Sequence, residues 1–196
     1  MQRRQAFRLY PSKSQEKTML KARRLHAYLY NACISHRQTE YKAGNKKVDY
    51  YVQQNALPAF KKEWPEFAEL NCMTLQATVK RVDLAYQSFI KGLRGRPTFK
   101  GIRHYGGWTY PSKTGWRVSS TGKNGSVTLN DLGITIPMRG NAADWLNPGT
   151  LVIVFKPNTR KWYASFTVNC DDPEPLTPSQ SPSELRLSHI LSRKPP

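Results

Sequence analysis

Between Arg3 and Tyr10 apolar and charged positions alternate: Phe7 and Leu9 fall on one side, Ala6, Arg8 and Tyr10 on the other. That period of two predicts a half-buried strand. Pro11 ends it, and Ser12-Lys-Ser-Gln15 has the Ser-x-x-Gln form of a capping box that opens a helix. The helix is expected over about 14–42, with Ala22, Leu25, Leu29, Ala32 and Cys33 as its buried stripe and Gly44-Asn45 as its stop. Asp49 caps a short helix reaching about Asn55. Pro58 suits the first turn of another, which runs to Trp64 and is stopped by Pro65. Asn71 then opens the most regular helix of the chain. Leu75, Val79, Val82, Tyr86, Phe89 and Leu93 step by four and three, stay on one face and read as core. Lys80, Arg81, Gln87 and Lys91 fall elsewhere and are expected in water, and Gly92 and Gly95 bracket the helix end.

After Trp108 the period changes. Short runs at 108–110, 116–119, 126–129, 133–136, 151–156 and 161–168 read as strands, separated by turn-forming groups such as Lys113-Thr-Gly, Gly122-Lys-Asn-Gly and Asn130-Asp-Leu-Gly. The expected fold class is α+β: a small antiparallel β-barrel interrupted by a helical insertion. The barrel takes residues 1–11 plus 94–170 and the helical lobe residues 12–93. The Pro- and Ser-rich segment 171–196 is expected to be a disordered tail.

Charge changes the picture from architecture to partners. The chain carries 31 Lys and Arg against 13 Asp and Glu, a net charge of +18. Residues 1–100 hold 20 of those cations and 7 of the anions, and between Asp83 and Asp131 there are eight cations and no acid. So large an excess points to nucleic acid. No apolar run is long enough to span a membrane, and the N-terminus lacks the apolar stretch of a secretory signal. Cys33, Cys72 and Cys170 form no CxxC pair, which fits a reducing compartment and argues against zinc. The expected location is the cytoplasm, on the nucleoid when bound.

The chemistry of cleavage is not legible here. Asp49 reads as a cap, Asp83 as a helix surface, and Asp171, Asp172 and Glu174 as a solvated linker. His26, His36, His104 and His189 have no ligand spacing, and no phosphate-loop or serine-nucleophile pattern occurs. No catalytic residue, metal or cofactor is expected. Binding equipment is plentiful. Lys17, Lys21, Arg24 and Tyr28 recur at steps of four, three and four, aligned beside the apolar stripe of the first long helix. The basic joint Lys91-Gly-Leu-Arg-Gly-Arg-Pro-Thr-Phe-Lys100 links the helices to the strands. It supplies Lys91, Arg94, Arg96 and Lys100, with Arg103, Lys113 and Arg117 beyond it. Lys and Arg beside aromatic faces are what a nucleic-acid backbone and its bases require.

The order of these features resembles the TnpB family of transposon-encoded RNA-guided nucleases, the OrfB-type proteins. The matching residues are Arg8-Leu-Tyr-Pro11, Tyr30-Asn-Ala32, Leu75-Gln-Ala77, Asp83-x-Ala85-Tyr86-x-x-Phe89, Arg96-Pro-Thr-Phe-Lys100, Asn124 to Pro137, and Lys161-Trp-Tyr-Ala-Ser-Phe166. The resemblance implies a wedge-type barrel split by a helical recognition lobe, a region commonly labelled helix-turn-helix, that grips guide-type RNA and an RNA–DNA heteroduplex. Pro97-x-Phe99-Lys100 would then be the re-entry into the barrel, with Phe99 as its anchor and Pro97 as its fixed point. Its RuvC-like nuclease, with a Gly-Ile-Asp-x-Gly strand and a four-cysteine zinc ribbon, has no counterpart among these residues. The expectation is therefore a truncated lobe that binds and does not cut. Alternatives are a helix-turn-helix DNA regulator, a ribosome-associated RNA protein, and a functionless fragment frameshifted after about Pro178.

Overall fold

The computed structural model describes residues 2–45, 48–120, 124–139 and 148–169. The expected turn at 122–123 and the tail lie outside these residues.

Strand β1 (Gln2–Leu9) leads into helix α1 (Lys13–Lys42), and the Ser12 capping box forms: Ser12 Oγ accepts from Gln15 N–H while Gln15 Oε1 accepts from Ser12 N–H. Gln15 also donates to the Thr135 carbonyl at 2.9 Å, which ties the helix start to the sheet. At the other end Gly44, with φ +87°, gives its N–H to Tyr41 O, and Asn45 gives its own to Glu40 O. These paired bonds satisfy the last carbonyls and need a left-handed residue at the position glycine occupies. Helices α2 (Tyr50–Asn55) and α3 (Leu57–Glu63) follow, the first capped by Asp49 on Val52 N–H. A 3-10 turn over Pro65–Glu69 leads to α4 (Cys72–Ile90).

Seven strands, all antiparallel, make one sheet in the order β2-β6-β7-β1-β5-β4-β3. They are β1, β2 (Gly107–Tyr110), β3 (Trp116–Ser120), β4 (Asn124–Leu129), β5 (Ile134–Arg139), β6 (Leu151–Lys156) and β7 (Lys161–Asn169). The two edge strands, β2 and β3, are consecutive in the chain and joined only by residues 111–115. Five residues reach at most roughly 18 Å, so the sheet must curl to bring its edges together. The fold is α+β with a curled, half-closed antiparallel barrel.

Alternation along each strand fills the inside of the curl. Phe7, Leu9, Trp108, Tyr110, Trp116, Val127, Leu129, Ile136, Met138, Leu151, Ile153, Phe155, Trp162, Ala164, Phe166 and Val168 are buried. Aromatic rings dominate it: Phe155 and Trp162 lie 4.6 Å apart, Trp116 and Phe166 5.4 Å. Helices α1 and α4 pack against β2, with the His26 ring stacked on Trp108 at 5.6 Å. The buried side chains of helices and sheet form one continuous cluster.

Several expectations need correction. The α4 stripe is core only in its first half. Leu75, Val79 and Val82 are buried, but Phe89 is 40% and Leu93 73% exposed, Phe89 lying in an open hollow with Tyr41 of α1. Ala32 on α1 is exposed, and that helix instead buries Met19, Ala27, Tyr30 and Ile34 as well, being covered on more than one side. Phe99 is no anchor: it is 56% exposed, and Tyr105 takes that place at 1%. Pro97 is buried, as the return point requires. Asp83 is not a helix surface but a buried carboxylate, and Arg81 is not in open water.

Candidate nucleic-acid interface

The basic joint is pinned at its C-terminal end. Asn31 on α1 makes a reciprocal pair with the backbone of Lys100, donating to its carbonyl and accepting from its N–H at 2.9 Å each. Arg23, buried one face away, donates from Nε to Tyr105 O at 2.7 Å and from Nη2 to Ile102 O, with its guanidinium 4.4 Å over the Phe155 ring. Burial of that guanidinium lowers its pKa, and the two carbonyls take up its donors. Gly107, at φ +129°, lets β2 lie so close to β6 that a Cβ there would sit 1.9 Å from Ile153 O. Polar groups on α1 therefore hold the segment from Lys100 to Tyr105 against the helices, and Lys100 is presented from a held backbone.

Between α4 and this segment lies an open groove of about 680 Å³ whose lining includes Lys80, Arg81, Arg94 and Lys100 and no Asp or Glu. Arg81 donates to Gly107 O at 2.8 Å, to Tyr105 Oη at 3.2 Å and to Thr109 Oγ1 at 3.3 Å. All three acceptors are neutral, so the bonds leave its charge uncompensated. Lys100 Nζ stands 5.0 Å over the Tyr30 ring. Its ammonium is held below the ordinary lysine value by burial first and by the Arg81 charge second. Lys80 differs: its Nζ lies 4.8 Å over Tyr50 and 3.2 Å from Asp83, which offsets part of its charge. The remaining positive potential is of the kind an incoming phosphate relieves.

A second groove, about 630 Å³, runs along the start of α1 beneath the β6–β7 hairpin. Lys13, Lys17, Lys21, Arg24 and Arg160 line it with the single acid Glu16. Lys21 also pairs with Glu69 at 2.5 Å, an exposed contact that contributes little. Arg160 sits at the hairpin tip in the left-handed region, φ +49°, which aims it from the turn instead of along a strand.

The sequence-derived residues thus divide among surfaces. Arg94 and Lys100 share the α4 groove, while Lys17, Lys21 and Arg24 share the α1 groove. Arg96 lines a third hollow with Arg37, Tyr41, Tyr86, Phe89 and Ile90 at the C-terminal ends of α1 and α4. Tyr28 is exposed on α1, Lys91 caps α4, Arg103 lies in the 3-10 turn Ile102–His104, and Lys113 and Arg117 are exposed around β3. Sequence reading missed Lys80, Arg81, Lys13 and Arg160. Arg81 had a signal: Thr74, Thr78 and Arg81 step by four and three beside the apolar stripe, and both threonines prove buried. Arg160 had none, since its place follows from how the hairpin folds back over α1.

Asp83 and Asp131 are engaged in holding structure. Asp83 accepts from Arg37 at 3.0 Å, Lys80 at 3.2 Å and Gln87 at 2.8 Å. Asp131 accepts from Asn71 N–H at 3.0 Å and from Tyr110 Oη at 2.8 Å. No three His, Cys, Asp or Glu side chains among the described residues are placed to share a metal ion, and no described helix is long and apolar enough to cross a membrane.

Residues 1–46 match the family model of the OrfB-type helix-turn-helix domain, and no curated protein matches the chain. The match supports a transposase-related, nucleic-acid-binding N-terminal region. Its described part, residues 2–45, folds as β1 and the unbroken 30-residue α1.

Proposed function

We propose that this chain, whose residues 1–46 match the OrfB-type helix-turn-helix family model, grips structured guide-type RNA and an RNA–DNA heteroduplex in the cytoplasm without cutting either. The observation that carries the reading is the acid-free groove in which Arg81, Arg94 and Lys100 converge. Backbone phosphates spaced along an A-form strand suit such a row, which senses shape and charge and leaves sequence to base pairing. Two further features favour a hybrid or RNA over duplex DNA. The basic surfaces are concave grooves, and α1 continues for 30 residues without the turn that would place a short recognition helix in a major groove. The binding-only reading rests on how the acids are used: Asp49 caps α2, Asp83 pairs with Arg37, and Asp131 bridges Asn71 and Tyr110. Metal-assisted phosphodiester hydrolysis needs carboxylates free to hold Mg²⁺.

Competition binding with a structured RNA, an RNA–DNA hybrid and duplex DNA of equal length tests the assignment. The hybrid and the RNA are expected to displace a labelled RNA at lower concentration than the duplex does. Preference for the duplex would instead establish the DNA-regulator reading. Incubating the same complexes with Mg²⁺ is expected to leave every strand intact, and a cleaved product would refute the binding-only assignment.

A further inference from the structure

The outer face of the sheet carries a cluster that the two grooves do not include. Arg8 on β1 stands directly opposite Arg139 on β5. Like charges in a cross-strand pair repel, and sheet stability alone would favour a neutral or acidic residue at one of the two positions. Both guanidinium groups instead lie over the ring of Tyr10, at 4.7 Å for Arg8 and 5.2 Å for Arg139. Arg8 Nε is buried and has no hydrogen-bond partner. The ion pairs among the described residues are all elsewhere, at Lys21–Glu69, Arg37–Asp83 and Lys80–Asp83.

The cluster extends along the sheet. On its other side Arg8 is paired with Tyr163 of β7, and Lys156 Nζ of β6 lies 4.8 Å over the Tyr163 ring. Lys156 is itself opposite Lys161, a second like-charge pair. None of the seven strands contains an Asp or Glu. The face therefore gathers arginine forks and tyrosine rings with no internal counterion. Guanidinium matches a phosphate through parallel N–H bonds and keeps its charge at any ordinary pH.

We infer that Arg8 and Arg139, held on Tyr10, form a phosphate clamp for one backbone phosphate of a nucleic-acid strand crossing the outer face of the sheet. The nucleic-acid source of the phosphate rests on the function proposed above. The repulsion between the two arginines is what the phosphate relieves, and Arg8 Nε gains the acceptor it lacks.

The test uses the whole chain and the variant Arg139→Gln, chosen because Arg139 is exposed and its loss opens no cavity. Inorganic phosphate, compared with chloride at equal ionic strength, should raise the Tm of the wild type by more than that of R139Q, whose remaining rise reports the grooves and the general salt effect. Binding of an RNA hairpin is then followed against salt. R139Q should lose about 0.7–0.9 from the slope of log K against log salt, the share of one phosphate, and R139K should keep the slope. R8Q/R139Q should lose no more than about one contact, since both arginines share a phosphate. An unchanged slope in R139Q, beside a lowered slope in R94A/K100A, overturns the clamp and leaves the nucleic-acid reading standing. If the wild type binds no nucleic acid at low salt, that reading fails instead. A phosphate-dependent Tm rise larger in the wild type than in R139Q would still support the anion site, and equal rises would overturn it.

Discussion

His26 lies at the centre of the packing between α1, α4 and β2, fully buried. Thr78 gives its only hydroxyl hydrogen to Thr74 O at 3.1 Å, so its oxygen accepts from His26 Nδ1–H at 2.9 Å. Nε2 is then the unprotonated nitrogen, and it has no partner. Burial first, and the Arg81 charge second, lower the imidazole pKa from 6.5 to about 3. A base that resists protonation when folded destabilises the protein in acid, because below pH 6.5 only the unfolded chain takes up the proton. Stability should fall as the pH drops from about 6.5 towards 3. At pH 5 the loss relative to neutral pH should be about 2 kcal/mol from this residue, and in His26→Gln that component of the acid slope should vanish. Urea unfolding at a series of pH values measures both. Cys33 is buried on the same helix, where desolvation pushes its thiol up to about 12, so it should stay unreactive to thiol reagents under conditions that label exposed Cys72.

Among the elements, α1 and α4 are joined by a polar clamp as well as by apolar packing. Arg37 of α1 donates to Asp83 of α4 and to Gln53 of α2, Gln53 donates to Cys33 O, and the Arg37 guanidinium lies 5.0 Å over the Tyr86 ring. Removing one partner of a buried pair strands the other charge, so Asp83→Ala should cost about 3–5 kcal/mol in chemical denaturation. Replacing both groups, as Arg37→Met with Asp83→Leu, should recover most of that. Asp131 has a comparable role between α4 and the sheet, receiving Asn71 N–H at the helix start and the Tyr110 hydroxyl of β2. Asp131→Ala should cost roughly 2–3 kcal/mol, the range for a lost hydrogen-bonded charged group. The ends of both long helices needed no tertiary help. Gly92, φ +70°, terminates α4 with the same paired bonds that Gly44 makes for α1, Gly92 N–H to Phe89 O and Leu93 N–H to Ser88 O.

For the molecule as a whole, a net charge of +18 leaves three surfaces on which cations gather. The groove beside α4, the groove beside α1 and the outer sheet face are formed by different elements, so their contributions to binding should separate. Arg94→Ala with Lys100→Ala should lower the salt slope of RNA binding by about 1.4–1.8, two phosphates' share. Arg96→Ala should lower it less than either of those substitutions, since Arg96 faces the hollow at the helix ends with Tyr86 and Phe89. Titrations at several salt concentrations decide this. A slope that fell equally for all three would make the joint a single strip of contacts, as its sequence alone implies.

Much of the architecture was legible before any coordinates because its signals are local. The capping box at Ser12, the glycines at 44 and 92, the Asp49 and Asn71 caps and the alternation from Lys161 to Val168 each satisfy backbone groups or divide faces within a few residues, and each appears where the residues predict it. Composition likewise determined that acids are scarce and the surface basic. What the residues could not determine is which faces meet. Phe89 and Phe99 are as apolar as Leu75 and Tyr105, yet they are exposed because nothing among the described elements covers them. Arg81 and Asp83 look like ordinary helix-surface charges until β2 and Arg37 close over them. Arg8 and Arg139 lie 131 positions apart and become neighbours only through the register of β1 with β5. Capping and periodicity act along the chain. Burial, charge pairing and groove formation act across it, where long-range packing decides which cations share a surface.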